Sequence, residues 1–224
     1  MRLGLRILEN SVKAVNMARN ETKIWNRFSI IYDSVIKKDA AIYQQVIEKI
    51  KHQLVQPARI LEVATGTGDL ALGIASVAEC VEAVDLSPKM IEAATKKAAL
   101  RGISNVHFSV QDAYGLTYEN NSFDIVIISN TLHILPEPER ALSEIKRVLT
   151  VQGCLIAPTF LHADSMKAVV WSKIMTLAGF RAYHKWNYKT YLQFINDNGF
   201  TIVDKALLKA SFPLAYVAAH KTQV

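Results

Sequence analysis

Residues 59–72 read RILEVATGTGDLAL, an apolar run that breaks into two closely spaced glycines and resumes as a second apolar run. Ile60 to Val63 has the character of a short buried strand, and a helix is expected from near Asp69. Between them the chain must turn through Ala64-Thr65-Gly66-Thr67-Gly68. Glycines at such a turn let the backbone approach a ligand without a Cβ in the way and take up positive φ where it is needed. Gly66, Gly68 and Ala71 fit the pattern G-x-G-x-x-[GA] of a nucleotide-binding strand–turn–helix. Many turns carry two glycines, so the fold and the ligand have to be read from what surrounds them.

Working outward, short β-rich runs recur after Arg59: RILEVA, CVEAVDL, NVHFSVQD, FDIVIIS and GCLIAPTF. Helical patterns lie between them. SPKMIEAATKKAALRG has Ser87 placed to cap, Pro88 in the first turn and Gly102 just past the end. EPERALSEIKRVL puts Ala141, Leu142, Ile145, Val148 and Leu149 on one face. Strand, helix and strand at this spacing mean βαβ units and a parallel sheet. FDIVIIS is nearly all apolar, as a strand buried on both faces should be. Before Arg59, residues from about Lys23 to Gln53 read as helix, with Tyr43, Val46, Ile47 and Ile50 as a stripe. After Phe160 come the helical MKAVVWSKIMTLAGF and the aromatic-rich AYHKWNYKTYLQFINDNGF, which stops at Asn198-Gly199. The tail alternates well enough for two final strands, an antiparallel pair. The expectation is one α/β domain: an N-terminal helical cap (1–58), a ligand-binding core (59–160), a helical insertion (161–196) and final strands (197–224).

Three carboxylates fall at strand ends or just inside them. Asp85 ends the second strand, 19 positions after Gly66, where an acid can accept both ribose hydroxyls of an adenosine; the plainer reading is an acid beside a helix cap. Glu62 lies inside the first strand, where a dinucleotide fold normally has an apolar residue. A buried carboxylate is costly unless paired, and a ligand ammonium or backbone N–H groups could pair it. Asp112, in SVQDAYGL, suits hydrogen bonding to an adenine exocyclic amine, with the Ala113 backbone alongside. Together they mark the ends of three successive strands, where ligands bind in open α/β sheets. A nicotinamide dinucleotide and S-adenosylmethionine would both use Asp85; the ammonium of a methionine end is what Glu62 adds.

With these residues in view, the run from about Trp25 to Pro158 resembles the class I S-adenosylmethionine-dependent methyltransferases, closest to the ubiquinone/menaquinone biosynthesis C-methyltransferase-like group. LEVATGTGD (61–69), VDLSPKMIEAA (84–94), VQDAYGLTYENNSFDIVIISNTLHIL (110–135) and EPERALSEIKRVLTVQGCLI (137–156) carry the resemblance. WNRFSIIYD (25–33) is similar to the aromatic-plus-YD segment that precedes the fold in that group. The resemblance implies a Rossmann-like, doubly wound, mostly parallel seven-stranded sheet with an antiparallel last strand. It implies S-adenosylmethionine as cofactor, leaving as S-adenosylhomocysteine. Gly66 and Gly68 would line the methionine end with Glu62 nearby, and Asp85 would hold the ribose. Leu86 and Met90 would lie beside the adenine, Asp112 and Ala113 at its edge, and Ser129 and Asn130 at the reacting methyl. Tyr32 would close over the methionine moiety. Ala64 departs from the pattern, since many members of the group have another glycine there.

A sulfonium is already an activated methyl donor, so the protein's task is to align acceptor, methyl carbon and sulfur and to exclude water; alignment can contribute on the order of 7 kcal/mol. A phenolic or carbon acid acceptor would also need a base. His133, in SNTLHIL, is the best-placed candidate; packing or orienting the loop is its plainer role. His162 and His184 are weaker candidates. Trp171, Met175 and Phe180, then Tyr183, Trp186, Tyr188, Tyr191 and Phe194, would either cover the sheet or wall a hydrophobic acceptor pocket. That pocket would suit a small-molecule or lipid-like acceptor, a quinone precursor or phospholipid headgroup.

Composition sets the outer bounds. Half of the 224 residues are hydrophobic, enough for one well-buried core. Cys80 and Cys154 are too few for a disulfide framework, which favours a reducing, cytoplasmic setting. The N-terminus is basic but lacks the continuous apolar core of a secretory signal; an organellar presequence stays open. Residues 1–60 hold 11 Lys+Arg against 5 Asp+Glu, residues 61–160 hold 7 against 12, and residues 161–224 hold 8 against 3. Basic flanks around an acidic middle would suit an anionic partner such as a membrane surface. An RNA-modifying methyltransferase is the alternative this charge encourages, although the basic residues are scattered and no RNA-binding module is evident. A non-catalytic cofactor-binding protein is another. No histidine–cysteine spacing suggests a metal site and no P-loop is present.

Overall fold

The computed structural model describes residues 22–26, 29, 40–54, 57–161, 182–209 and 213–222. Helix α1 (Ala40–Gln53) buries Ile42, Val46, Ile47 and Ile50. Strand β1 (Arg59–Val63) then leads through the glycine turn into α2 (Asp69–Ile74). β2 (Cys80–Asp85) is followed by α3 (Pro88–Arg101). There the Ser87 hydroxyl accepts the Met90 N–H at 3.2 Å, and Gly102 closes the helix in the left-handed region, φ +64°, as its sequence predicts. β3 (Val106–Val110), β4 (Phe123–Ile128), a 3-10 turn (Leu132–Ile134) and α4 (Pro138–Val148) follow. The chain ends with β5 (Leu149–Ile156), β6 (Thr159–Phe160), α5 (Tyr188–Asp197), β7 (Phe200–Leu208) and β8 (Leu214–Lys221).

The strands form one sheet in the order β3-β2-β1-β4-β5-β8, with β6 and β7 also paired to β8. β1 to β5 run parallel, and β8 is antiparallel to β5, β6 and β7. The resemblance implies seven strands, and the described residues form eight because β5 breaks at Ala157-Pro158. β6 resumes in the same register against β8: Cys154 faces His220, Ile156 faces Ala218 and Phe160 faces Leu214. Proline has no N–H to give to the ladder, so β5 and β6 occupy one position in the sheet. β5 also starts earlier than GCLIAPTF suggests, running directly out of α4 at Leu149.

Both faces of the sheet are covered, which is why its strands are apolar at successive positions. Ile60, Ala83, Ile125, Ile127 and Ile156 pack with α1 and α2 on one face. Leu61, Val63, Val126, Ile128 and Leu155 pack with α4 and α5 on the other. The chain lays down β1, β2 and β3 outward in one direction and returns to place β4 on the opposite side of β1. The crevice between the carboxyl ends of β1 and β4 is the switch point at which such sheets bind ligands. MKAVVWSKIMTLAGF, with Trp171, Met175 and Phe180, lies outside the described residues, as do His162, Tyr32 and most of WNRFSIIYD.

Candidate functional site

The turn after β1 is built on three left-handed residues, Ala64 (φ +57°), Gly66 (φ +57°) and Gly68 (φ +82°). At Gly68 even a methyl group would meet the Phe108 ring at 2.9 Å and Ala94 Cβ at 3.1 Å, so only glycine fits there. Ala64 takes the same region with a Cβ, which costs a residue roughly 1–2 kcal/mol. Thr65 N–H donates to Val84 O at 2.9 Å, and Gly68 N–H donates back to Thr65 O at 3.1 Å. The turn is thereby folded against the end of β2.

Glu62 is 2% exposed. One of its oxygens accepts both the Thr65 hydroxyl at 2.6 Å and the Ala71 N–H at 3.0 Å. Burial pushes the Glu62 carboxyl up to about 8, opposed by those two hydrogen bonds and reinforced by the Asp69 and Asp85 carboxylates. Asp85, 9% exposed, accepts the Gly66 N–H on one oxygen at 2.9 Å and the Ser87 N–H on the other at 2.8 Å. Burial raises its carboxyl above the ordinary value against the pull of those N–H groups. The acid that ends β2 thus clamps the glycine turn to the start of α3. Each of its oxygens keeps a further lone pair for a ligand hydroxyl.

Asp112 lies two residues beyond β3 and shapes its own turn. Its side chain accepts the Tyr114 N–H at 2.9 Å and its carbonyl accepts the Gly115 N–H at 3.0 Å. Tyr114 braces that turn against α4: its hydroxyl accepts the Glu137 N–H at 3.1 Å and its ring lies 4.8 Å from the Arg140 guanidinium. Ala113 packs on the α4 side of the core, Leu86 is half-buried and Met90 is buried. Ser129 and Asn130 follow β4. The described residues thus bring Glu62, Ala64, Gly66, Asp85 and Ser129 to the carboxyl ends of β1, β2 and β4.

A cleft at the switch point is lined by Tyr43, Glu62, Ala64, Thr65, Asp69, Leu70 and Ser129. Four of these, Tyr43, Thr65, Asp69 and Leu70, were not among the ligand-site candidates read from the sequence. Thr65 is the partner of Glu62, a pairing its place between the acid and the first glycine could have suggested. Tyr43 reaches the cleft from α1, and only the fold brings it there. His133 is 4% exposed in the 3-10 turn after β4. Its Nδ1 lies 3.1 Å from Thr159 Oγ1, and its carbonyl accepts the His184 N–H at 3.0 Å.

The aromatics of the 182–197 stretch cover the sheet. Tyr191 is fully buried and donates its hydroxyl hydrogen to Ala157 O at 2.8 Å. Trp186 packs on Tyr191 and Phe194, and His184 stacks on Trp186. Among the described residues no cluster of His, Cys, Asp and Glu could hold a metal, and no helix is long and apolar enough to cross a membrane.

Comparison with known proteins agrees with this geometry. The family profile described as a methyltransferase domain matches residues 60–153. The chain is 41% identical over 106 residues to a demethylmenaquinone methyltransferase of Thermus thermophilus, covering 46% of this chain and 48% of that protein. It is 31% identical over 141 residues to the chloroplastic 2-methyl-6-phytyl-1,4-hydroquinone methyltransferase 1 of Oryza sativa subsp. japonica, covering 58% and 40%. The chain therefore spans less than half the length of these relatives. In fold it is similar to the crystal structure of a 1,6-didemethyltoxoflavin-N1-methyltransferase of Burkholderia thailandensis, with TM-score 0.74, 19% identity, and coverage of 93% of this chain and 90% of that one. Over residues 60–153 the chain is therefore similar to a methyltransferase domain.

Proposed function

We propose that the protein is an S-adenosylmethionine-dependent methyltransferase acting on a small, hydrophobic, quinol-type acceptor. The observation that carries the cofactor is Glu62. A carboxylate buried in a strand, held by two donors and facing a cleft at the switch point, suits an ammonium group, and burial leaves it in want of one. The methionine end of the cofactor supplies that ammonium. The relatives' names, demethylmenaquinone and methyl-phytylhydroquinone methyltransferases, support the acceptor class.

When bound, the cofactor supplies a methyl group on a cationic sulfur that leaves as a neutral thioether. The chain's own residues do the rest. Glu62 would hold the amino group, with Gly66 and Gly68 lining the methionine end. The spare lone pairs of Asp85 would accept the ribose hydroxyls; Leu86 and Met90 would flank the adenine, and Asp112 with Ala113 would meet its edge. Ser129 and Asn130 would border the reacting methyl. His133, tied to Thr159 and to the backbone of His184, holds the loop that carries Ser129 and Asn130. Alignment and exclusion of water then account for the rate.

A ring carbon of a hydroquinone is electron-rich and can take the methyl group with loss of one proton; the oxidised quinone cannot. With methyl-labelled S-adenosylmethionine and a prenylated hydroquinone lacking one ring methyl, label is expected in the organic phase. Equal labelling of reduced and oxidised forms, or of neither, would contradict the acceptor assignment.

A further inference from the structure

The cleft has a wall that belongs to neither the glycine turn nor the strand ends. α1 is pressed against α2 where Gly73 makes room: a Cβ there would come within 2.5 Å of Ile47 Cδ1. That contact fixes the register of α1 on the core. Tyr43, one turn before Ile47 on the same face, is thereby set over the cleft beside Glu62, Ala64 and Ser129.

Its hydroxyl is held from the other side of the cleft. Asn130, in the left-handed region at φ +50°, donates its Nδ2 hydrogen to Tyr43 Oη at 3.0 Å. The orientation of that amide is settled by its other end. Asn130 Oδ1 accepts the Phe160 N–H at 3.0 Å, and a backbone N–H requires the oxygen there. The Asn130 N–H in turn donates to Pro158 O at 2.8 Å, so the break between β5 and β6 is what seats Asn130. Tyr43 thus closes a chain of contacts from α1 across the cleft mouth to the β5–β6 junction.

We infer that Tyr43 is a cofactor-binding residue that forms the α1 wall of the methionine end of the site, with Asn130 as the residue that positions it. The inference rests on the cofactor reading above and adds a contact from outside the methyltransferase-domain match. It separates the two ends of the ligand: Tyr43 sits with Glu62 and Ser129, away from the Asp112–Ala113 turn proposed for the adenine. Loss of Tyr43 should therefore be felt by the amino-acid part of the cofactor and not by its nucleoside part.

The test is calorimetric titration of the full chain with S-adenosylhomocysteine and with 5′-methylthioadenosine, which has the nucleoside and the sulfur but no amino-acid end. Tyr43→Leu is expected to weaken S-adenosylhomocysteine by about tenfold, the scale of one lost polar contact plus its ring packing, and to leave methylthioadenosine within about twofold. Tyr43→Phe, which keeps the ring and is the safer fold, should show a smaller loss in the same direction. An equal loss for both ligands would mean that Tyr43 only supports the fold, and no loss for either would mean that it does not touch the ligand; each overturns the inference while wild-type binding upholds the cofactor reading. A wild-type protein that binds neither ligand would overturn both.

Discussion

Glu62 is the residue on which the proposed cofactor site turns, and its burial makes a pH-dependent prediction. Its carboxyl is raised from 4.5 to about 8, so the native state holds a proton that the unfolded chain releases. That contribution to stability is fully present below 4.5 and is lost as pH rises towards 8. In the ligand-free protein, scanning calorimetry should find a melting temperature that falls between about pH 5 and 8, and Glu62→Gln should flatten the fall. Equal slopes in the two proteins would contradict the buried carboxyl. Ala64 offers a second test, since its φ of +57° carries a Cβ where none is wanted. Ala64→Gly should gain roughly 0.5 kcal/mol and Ala64→Val lose about 1 kcal/mol or more by denaturant titration. A loss on Ala64→Gly would show that the residue is not left-handed. His133→Gln should keep methyl transfer within about tenfold if the ring only holds its loop, whereas a general base would lose about a hundredfold or more. Sequence made Glu62 and Asp85 visible because a charge inside an apolar strand and an acid at a strand end are both anomalies. It could not show that the Ala71 N–H also holds Glu62, because that contact depends on how the turn folds back.

At the scale of elements, signals within one segment were legible and signals between segments were not. The Ser87 cap, Pro88 and Gly102 mark α3 from its sequence alone, since capping acts over three or four residues. In α5 the reciprocal capping box of Asn187 and Thr190 acts over the same short range but was not read from the sequence. The break between β5 and β6 was hidden inside an apolar string, because one proline in GCLIAPTF does not say which neighbour it faces. The aromatics of α5 are likewise ambiguous in sequence. The fold resolves them by burying Tyr191 against the sheet with its hydroxyl on Ala157 O. Tyr191→Phe should therefore cost about 1–2 kcal/mol, read as a lower urea midpoint with an unchanged slope; a neutral result would mean that the Ala157 carbonyl finds another donor. Tyr43 belongs to this class too, since 87 residues separate it from its partner Asn130.

For the whole molecule, the order of the strands decides where chemistry happens. β1 and β4 are neighbours whose following loops part in opposite directions, which opens a crevice at their carboxyl ends. Alternation of strands and helices implied such a sheet, and the resemblance of the motifs implied its doubly wound form with an antiparallel last strand; the strand order and the continuity of β5 and β6 against β8 came only with the structure. The acceptor was the least legible part, because the positions that would wall its pocket are apolar for structural reasons as well. The measurement that tests methyl transfer most directly uses the purified protein and S-adenosylmethionine labelled in its methyl group. It is incubated with a methyltransferase-poor cell extract, and the label is partitioned into organic, aqueous, RNA and protein fractions beside an Asp85→Ala control. Label in the organic phase that disappears in the control is the predicted result. Label in RNA would contradict the quinol-type acceptor, and cofactor binding with no transfer into any fraction would contradict methyl transfer.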